Sequence, residues 1–188
     1  MVCMFLLYQM ENNKNKIISN IYDNKYNDCE KSVREIYIRD KILQEILYLS
    51  NIENEKYQQI IKNKKINKIL SDNFYEKIEN NNSNTSSIKK NFEGVLIIEN
   101  NKLFYEQKNA YWKYYDGYCL ILVCSKYENG LLANNLLNII IQMLCKNEIL
   151  IESTELFSSI LDTLMPNGQI LFLTANAAQE LIKQHIDC

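Results

Sequence analysis

The chain has 188 residues, a net charge of -2 and a sequence pI near 5.6. That length allows one domain with a real core. The acidic balance, with Arg34 and Arg39 as the only arginines, argues against nucleic acid as a partner.

In chain order, 2–9 (VCMFLLYQ) reads as a strand apolar enough to be buried on both faces, and 17–22 as a second strand forming an N-terminal hairpin with it. From Glu30 to Leu49 the apolar residues Val33, Ile36, Tyr37, Ile42, Leu43, Ile46, Leu47 and Leu49 recur every three to four positions, which predicts an amphipathic helix. Residues 51–93 differ in kind. They hold a lysine-rich run at 62–68 and a low-complexity Asn/Ser/Thr run at 79–87, and read as a disordered or partly helical insertion within one domain. The lysine run reads as a solvated loop in preference to a contact with acidic lipid. Asparagine occurs 26 times and reflects a compositional bias rather than chemistry.

Further strands are predicted over 94–98, 102–107 and 117–125, with turns at Asn100-Asn101 and Asp116-Gly117. Helices are predicted over 130–144 and 152–165. Pro166, the only proline, ends the second of these, and Asn167-Gly168 makes a tight turn. Residues 169–173 then read as a short buried strand, and Thr174 as the cap of a last helix carrying Ala177, Ala178, Leu181 and Ile182. Ile121, Leu122 and Val123 leave no polar side on their strand, so helices must cover both faces of the sheet. The fold class is therefore α+β, a five-stranded antiparallel sheet flanked by helices.

Catalytic signals are absent from this pattern. No phosphate-binding or nucleophile-elbow motif occurs, and the one histidine, His185, reads as a surface side chain. Glu152, Glu155 and Asp162 share one helical face and read as solvated. The six cysteines lack any C-x-x-C pair and read as reduced thiols of a cytosolic protein. No cofactor, metal or small-molecule substrate is expected. The N-terminal apolar run is too short and its flanks too uncharged for a signal peptide, and no stretch reaches the apolar length of a membrane span. The aromatic run 111–115 (YWKYY), with Tyr105 and Tyr118, fits packing at a core edge first and a protein interface second. Stacking on nucleic acid is the weakest reading. The pairs Leu131-Leu132 and Leu136-Leu137 lie in a buried helix and read as packing.

Three stretches carry a family resemblance: KLFYEQKNAYWKYYDGYCLILVCS (102–125), YENGLLANNLLNIIIQML (127–144) and SILDTLMPNGQILFLTANAAQELIKQ (159–184). In order and content they resemble the small (sigma) subunits of heterotetrameric adaptor protein complexes, which share the longin-like fold. The start MVCMFLLYQM, the 39–43 segment RDKIL and the 166–173 segment PNGQILFL are most similar to the sigma subunit of the fifth adaptor complex.

The resemblance implies a non-enzymatic scaffold that binds a large zeta-like subunit. Beta-like and mu-like subunits would complete a heterotetramer. It implies peripheral association with late endosome and lysosome membranes in vesicle-mediated transport. Trp112, Tyr115, Tyr118, Ile141, Pro166, Gly168 and Phe172 are the expected partner-facing residues. The family's pocket for acidic dileucine signals carries over only in part. Ile141 suits it, but Asp116 and Tyr118 stand where it wants a small and an aliphatic residue. Longin-like domains also serve in SNAREs and in membrane tethering or GTPase-exchange assemblies. A SNARE would need a heptad helix and an anchor after Cys188, whereas a tethering or exchange subunit remains the alternative.

Overall fold

The computed structural model describes residues 1–10, 15–22, 28–71, 91–99, 103–146, 153–171, 174, 176–178, 180 and 183. Five strands form one antiparallel sheet: β1 (Val2–Gln9), β2 (Asn15–Ile21), β3 (Asn91–Ile98), β4 (Lys108–Tyr115) and β5 (Tyr118–Ser125), in the order β2-β1-β5-β4-β3. The helices are α1 (Asp28–Ser71), α2 (Gly130–Lys146) and α3 (Thr154–Leu164). The α+β sheet-and-helix class expected from the sequence is the observed one.

β5 lies at the centre of the sheet and all of its inner residues are buried. Because side chains alternate across a strand, it feeds two cores. Leu120, Leu122 and Cys124 join Phe5, Leu7 and Tyr111 of the neighbouring strands under α2 and α3. Phe157 of α3 closes that layer, 6.1 Å from the Phe5 ring. Cys119, Ile121 and Val123 join Met4, Leu6, Tyr8, Ala110 and Trp112 under Ile38, Ile42 and Ile46 of α1.

Several boundaries differ from the sequence reading. The strand expected over 102–107 is not formed by its described residues: 103–107 bend, and the pairing strand begins at Lys108. The aromatic run is that strand. Its alternating residues point to opposite faces, and the two-residue Asp116-Gly117 turn brings Tyr115 opposite Tyr118. Asp116 and Gly117 have φ of 48° and 84°, the left-handed geometry that an Asp-Gly hairpin turn takes. α1 continues through 51–71, so the first half of the expected insertion is helix, and its end, 91–93, belongs to β3. Residues 169–171 are not in the sheet, with Gln169 and Leu171 exposed. Phe172, Leu173, the Asn100-Asn101 turn, Glu152 and His185 lie outside the described residues.

The turn after α3 follows the chemistry of its residues. Ser153 caps α3 by accepting from the Leu156 amide, and the Met165 amide donates to Leu161 at its end. Pro166 stops the helix, and Asn167 and Gly168 take φ of 51° and 74°. Gly168 is buried against the start of β1, where an added Cβ would lie 2.4 Å from the Val2 carbonyl oxygen. Beyond it, Thr174 caps a short helical stretch through its bond from the Ala177 amide.

Two outcomes follow from this packing. Gly168→Ala should lower stability by about 2 kcal/mol or more, because a Cβ meets backbone at a positive φ. Asn167→Gly should change it by a few tenths. Chemical denaturation checks both. Burial, with the Glu35 carboxylate beside it, pushes the Tyr8 phenol up to about 12. Its unfolded value is near 10.0. Between these values the folded chain holds a proton that the unfolded chain has lost, so stability falls as pH rises through that window. Tyr8→Phe should flatten the alkaline limb of stability against pH.

Candidate partner-docking surface

α1 is the element whose burial does not match its composition. Arg34, Ile38, Ile42 and Ile46 face the sheet and are buried. Val33, Ile36, Leu47 and Tyr48 are between 45% and 66% exposed. Ile36 and Leu47 are eleven positions apart and Val33 and Leu47 fourteen, close to three and four turns, so they form one outward row. The face toward the sheet is apolar, and on the outer side these apolar residues share the row with exposed Asp40 and Gln44, which lie between Ile36 and Leu47.

Polar contacts set the rotation that leaves this row outside. The Trp112 indole N–H donates to Glu45 Oε2 at 3.0 Å. Ser19 Oγ donates to the Glu35 carboxylate. The Arg34 guanidinium lies 5.1 Å above the Phe104 ring. Rolling α1 to bury Val33 and Leu47 would break each of these. Leaving a buried partner unpaired costs about 1–3 kcal/mol.

A second exposed apolar region lies on the opposite sheet face. The outward positions of edge strand β3 include Val95 and Ile97, exposed, and Leu131 at the start of α2 is 81% exposed. Asn129 caps α2 by accepting from the Leu131 amide at 2.9 Å. The Lys113 ammonium on β4 pairs with Glu93 on the same outward row of β3.

The residues singled out from sequence do not form one surface. Trp112 is 1% exposed, with its ring in the α1-side core, so it packs within the chain and offers nothing to a partner. Tyr115 and Tyr118, both half-buried, sit at the hairpin end of β4 and β5 beside exposed Asp116. Tyr118 and Ile141 pack against the α2-side core. Pro166 is exposed and Gly168 buried at the other end of the sheet, near Val2. Phe172 is outside the described residues. The exposed apolar residues of α1 and β3 are not distinguished by the sequence spacing, and on α1 the signal that separates them from the core is angular position on the helix.

Nothing among the described residues gathers chemistry. No group of three or more His, Cys, Asp or Glu side chains is placed to hold a metal. Cys119 and Cys124 are buried thiols, and burial pushes Cys119 up to about 12 and Cys124 higher still, away from the reactive thiolate. No helix among the described residues is long and apolar enough to cross a membrane.

No curated protein matches the chain. A family model does, that of AP-5 complex subunit sigma-1, over residues 1–185. That span takes in β1 to β5 and α1 to α3. The chain belongs to the AP-5 complex subunit sigma-1 family, and its helix-flanked sheet is the longin-like fold of a small adaptor subunit.

Proposed function

We propose that this chain is the small subunit of an adaptor complex of the fifth type, scaffolding a large zeta-like subunit. Beta-like and mu-like subunits complete the heterotetramer. The complex acts in vesicle-mediated transport at late endosome and lysosome membranes, which the chain reaches peripherally through its partners. The observation that carries the reading is the family match together with the exposed apolar residues Val33, Ile36, Leu47 and Tyr48 on α1. The inner face of α1 is already packed, so the outer row is free to be packed by a second protein.

Docking of this kind needs no chemical step. Covering apolar side chains contributes about 25 cal/mol per Å² removed from water. A stable contact needs about 800 Å² from each partner. Four side chains of α1 supply only part of that area, so the docking face extends beyond this row. The exposed apolar residues of β3 and α2 on the opposite sheet face suit a large subunit that wraps around the domain. The pairing of a charged Asp116 with a bulky Tyr118 gives no support to dileucine recognition at those positions.

Affinity purification of the tagged chain from native cells, with mass spectrometry, tests the reading. Recovery of a large helical-repeat subunit in near-equal amount, with mu-like and beta-like proteins, is the expected result. Recovery of tethering or exchange factors in its place would move the chain to that assembly. The double variant Ile36→Asp, Leu47→Asp should change the stability of the chain by less than about 1 kcal/mol, since both residues are exposed. It should cut recovery of the large subunit at least about tenfold, as expected when charge enters an apolar contact. Undiminished recovery would remove α1 from the docking face.

A further inference from the structure

We propose that the outer edge of β3 accepts an added strand: an extended segment of another protein in which two apolar side chains alternate between basic ends. Among the described residues β3 is the last strand on its side of the sheet, and no strand pairs with its outer edge. In an antiparallel pair every second residue turns its N–H and C=O toward the partner, and the others turn theirs away. Over the eight residues of β3, about four therefore offer a backbone donor and acceptor outward. A strand that takes up those groups gains main-chain bonds at each of them.

The two edges of the sheet are not alike. β2 meets β1 through a register shift between Leu7 and Tyr8, and it packs against α3. β3 pairs with β4 in unbroken register, from Asn91 opposite Tyr115 to Ile98 opposite Lys108. Bulges and prolines are devices that blunt an edge, and β3 contains neither.

Side-chain chemistry selects the strand. Phe92, Leu96 and Ile98 turn to the α1 side. The Trp112 indole lies across Gly94 on β3, where an added Cβ would come within 2.8 Å of the ring. That face is filled from within the chain. Glu93, Val95 and Ile97 are exposed on the other face, opposite Lys113, Tyr111 and Asn109 of β4. Glu99, also exposed, follows the strand. The outward row is thus acid, apolar, apolar, with a second acid beyond it. The Glu93 carboxylate pairs with the Lys113 ammonium, yet its side chain is 69% exposed, and a carboxylate accepts from more than one donor. A second copy of this chain suits the row poorly. Setting Val95 opposite Ile97 in an antiparallel pair of β3 strands also sets Glu93 opposite Glu99, and like charges directly opposite destabilise a sheet. A strand with basic residues at those two places makes both contacts favourable.

Fluorescence anisotropy of a labelled synthetic peptide with this pattern, KTITITK, tests the edge on the full chain. KTITITK should bind saturably, and ETITITE at least about tenfold more weakly. Backbone pairing has its own signature. N-methylation of the peptide's isoleucines and N-methylation of its threonines block opposite edges of it, so one should abolish binding and the other should not. Ile97→Lys, at a side chain already exposed, should weaken binding at least about tenfold with circular dichroism unchanged. Ile97→Thr, which keeps a strand-forming side chain, should stay within about threefold of wild type. Bound KTITITK should slow hydrogen exchange over 91–98 and leave 33–48 unchanged, so the result is independent of the α1 docking row and of the adaptor reading. Absence of KTITITK binding, equal binding of ETITITE, equal effects of the two N-methylations, or a folded Ile97→Lys chain that binds as well as wild type would each overturn the proposal. So would dimerisation of the chain, seen by analytical ultracentrifugation and removed by Ile97→Lys, which would give the edge to a second copy.

Discussion

A central strand with no polar face dictates most of this architecture. β5 buries Cys119 through Cys124 without interruption. Every second residue must find apolar cover above the sheet and every other one below it. That requirement places α2 and α3 on one side and α1 on the other. β2 and β3 are left as the edges of the sheet. The two cores are unequal in character. The α2 and α3 side is closed by aliphatic and aromatic contacts such as Phe5 with Phe157. The α1 side mixes burial with directed polar contacts, among them Trp112 with Glu45 and Ser19 with Glu35.

Those directed contacts give α1 a fixed orientation, and the orientation has a functional meaning. Apolar burial alone would let the helix roll to hide Val33 and Leu47. The indole–carboxylate bond and the guanidinium over Phe104 hold it so that these residues stay in water. Val33, Ile36, Leu47 and Tyr48 are thereby left exposed on the isolated chain. The same helix continues to Ser71. One element thus combines a packed inner face with exposed apolar residues on its outer side.

Much of the fold was legible in the sequence, for identifiable reasons. β1 and β5 are near-continuous apolar runs, and α2 and α3 have strong helical spacing with clear ends at Asn129-Gly130 and Pro166. The Asn167-Gly168 turn was readable because both residues tolerate positive φ, and both take it. The start of β4 is not legible because the 111–115 run reads as an aromatic cluster at a core edge rather than as an alternating strand. In the structure it alternates between two cores, and Trp112 disappears into one of them. α1 departs from its spacing for a related reason. Three-to-four spacing does not say which side of a helix a residue occupies, and Val33, Ile36 and Leu47 lie opposite Ile42 and Ile46. Beyond residue 50 composition is compatible with disorder or with partial helix, since asparagine and lysine lower apolar content without forbidding helical backbone, and 51–71 is helical.

The central claim is that the outward row of α1 is covered by a partner while β5 stays as it is. Hydrogen exchange of the chain alone and in its purified assembly tests this most directly. The account predicts slower exchange on assembly for peptides spanning 33–48, with no change for 118–125, which is already buried on both faces. Unchanged exchange over 33–48 in a complex that contains the large subunit would contradict it.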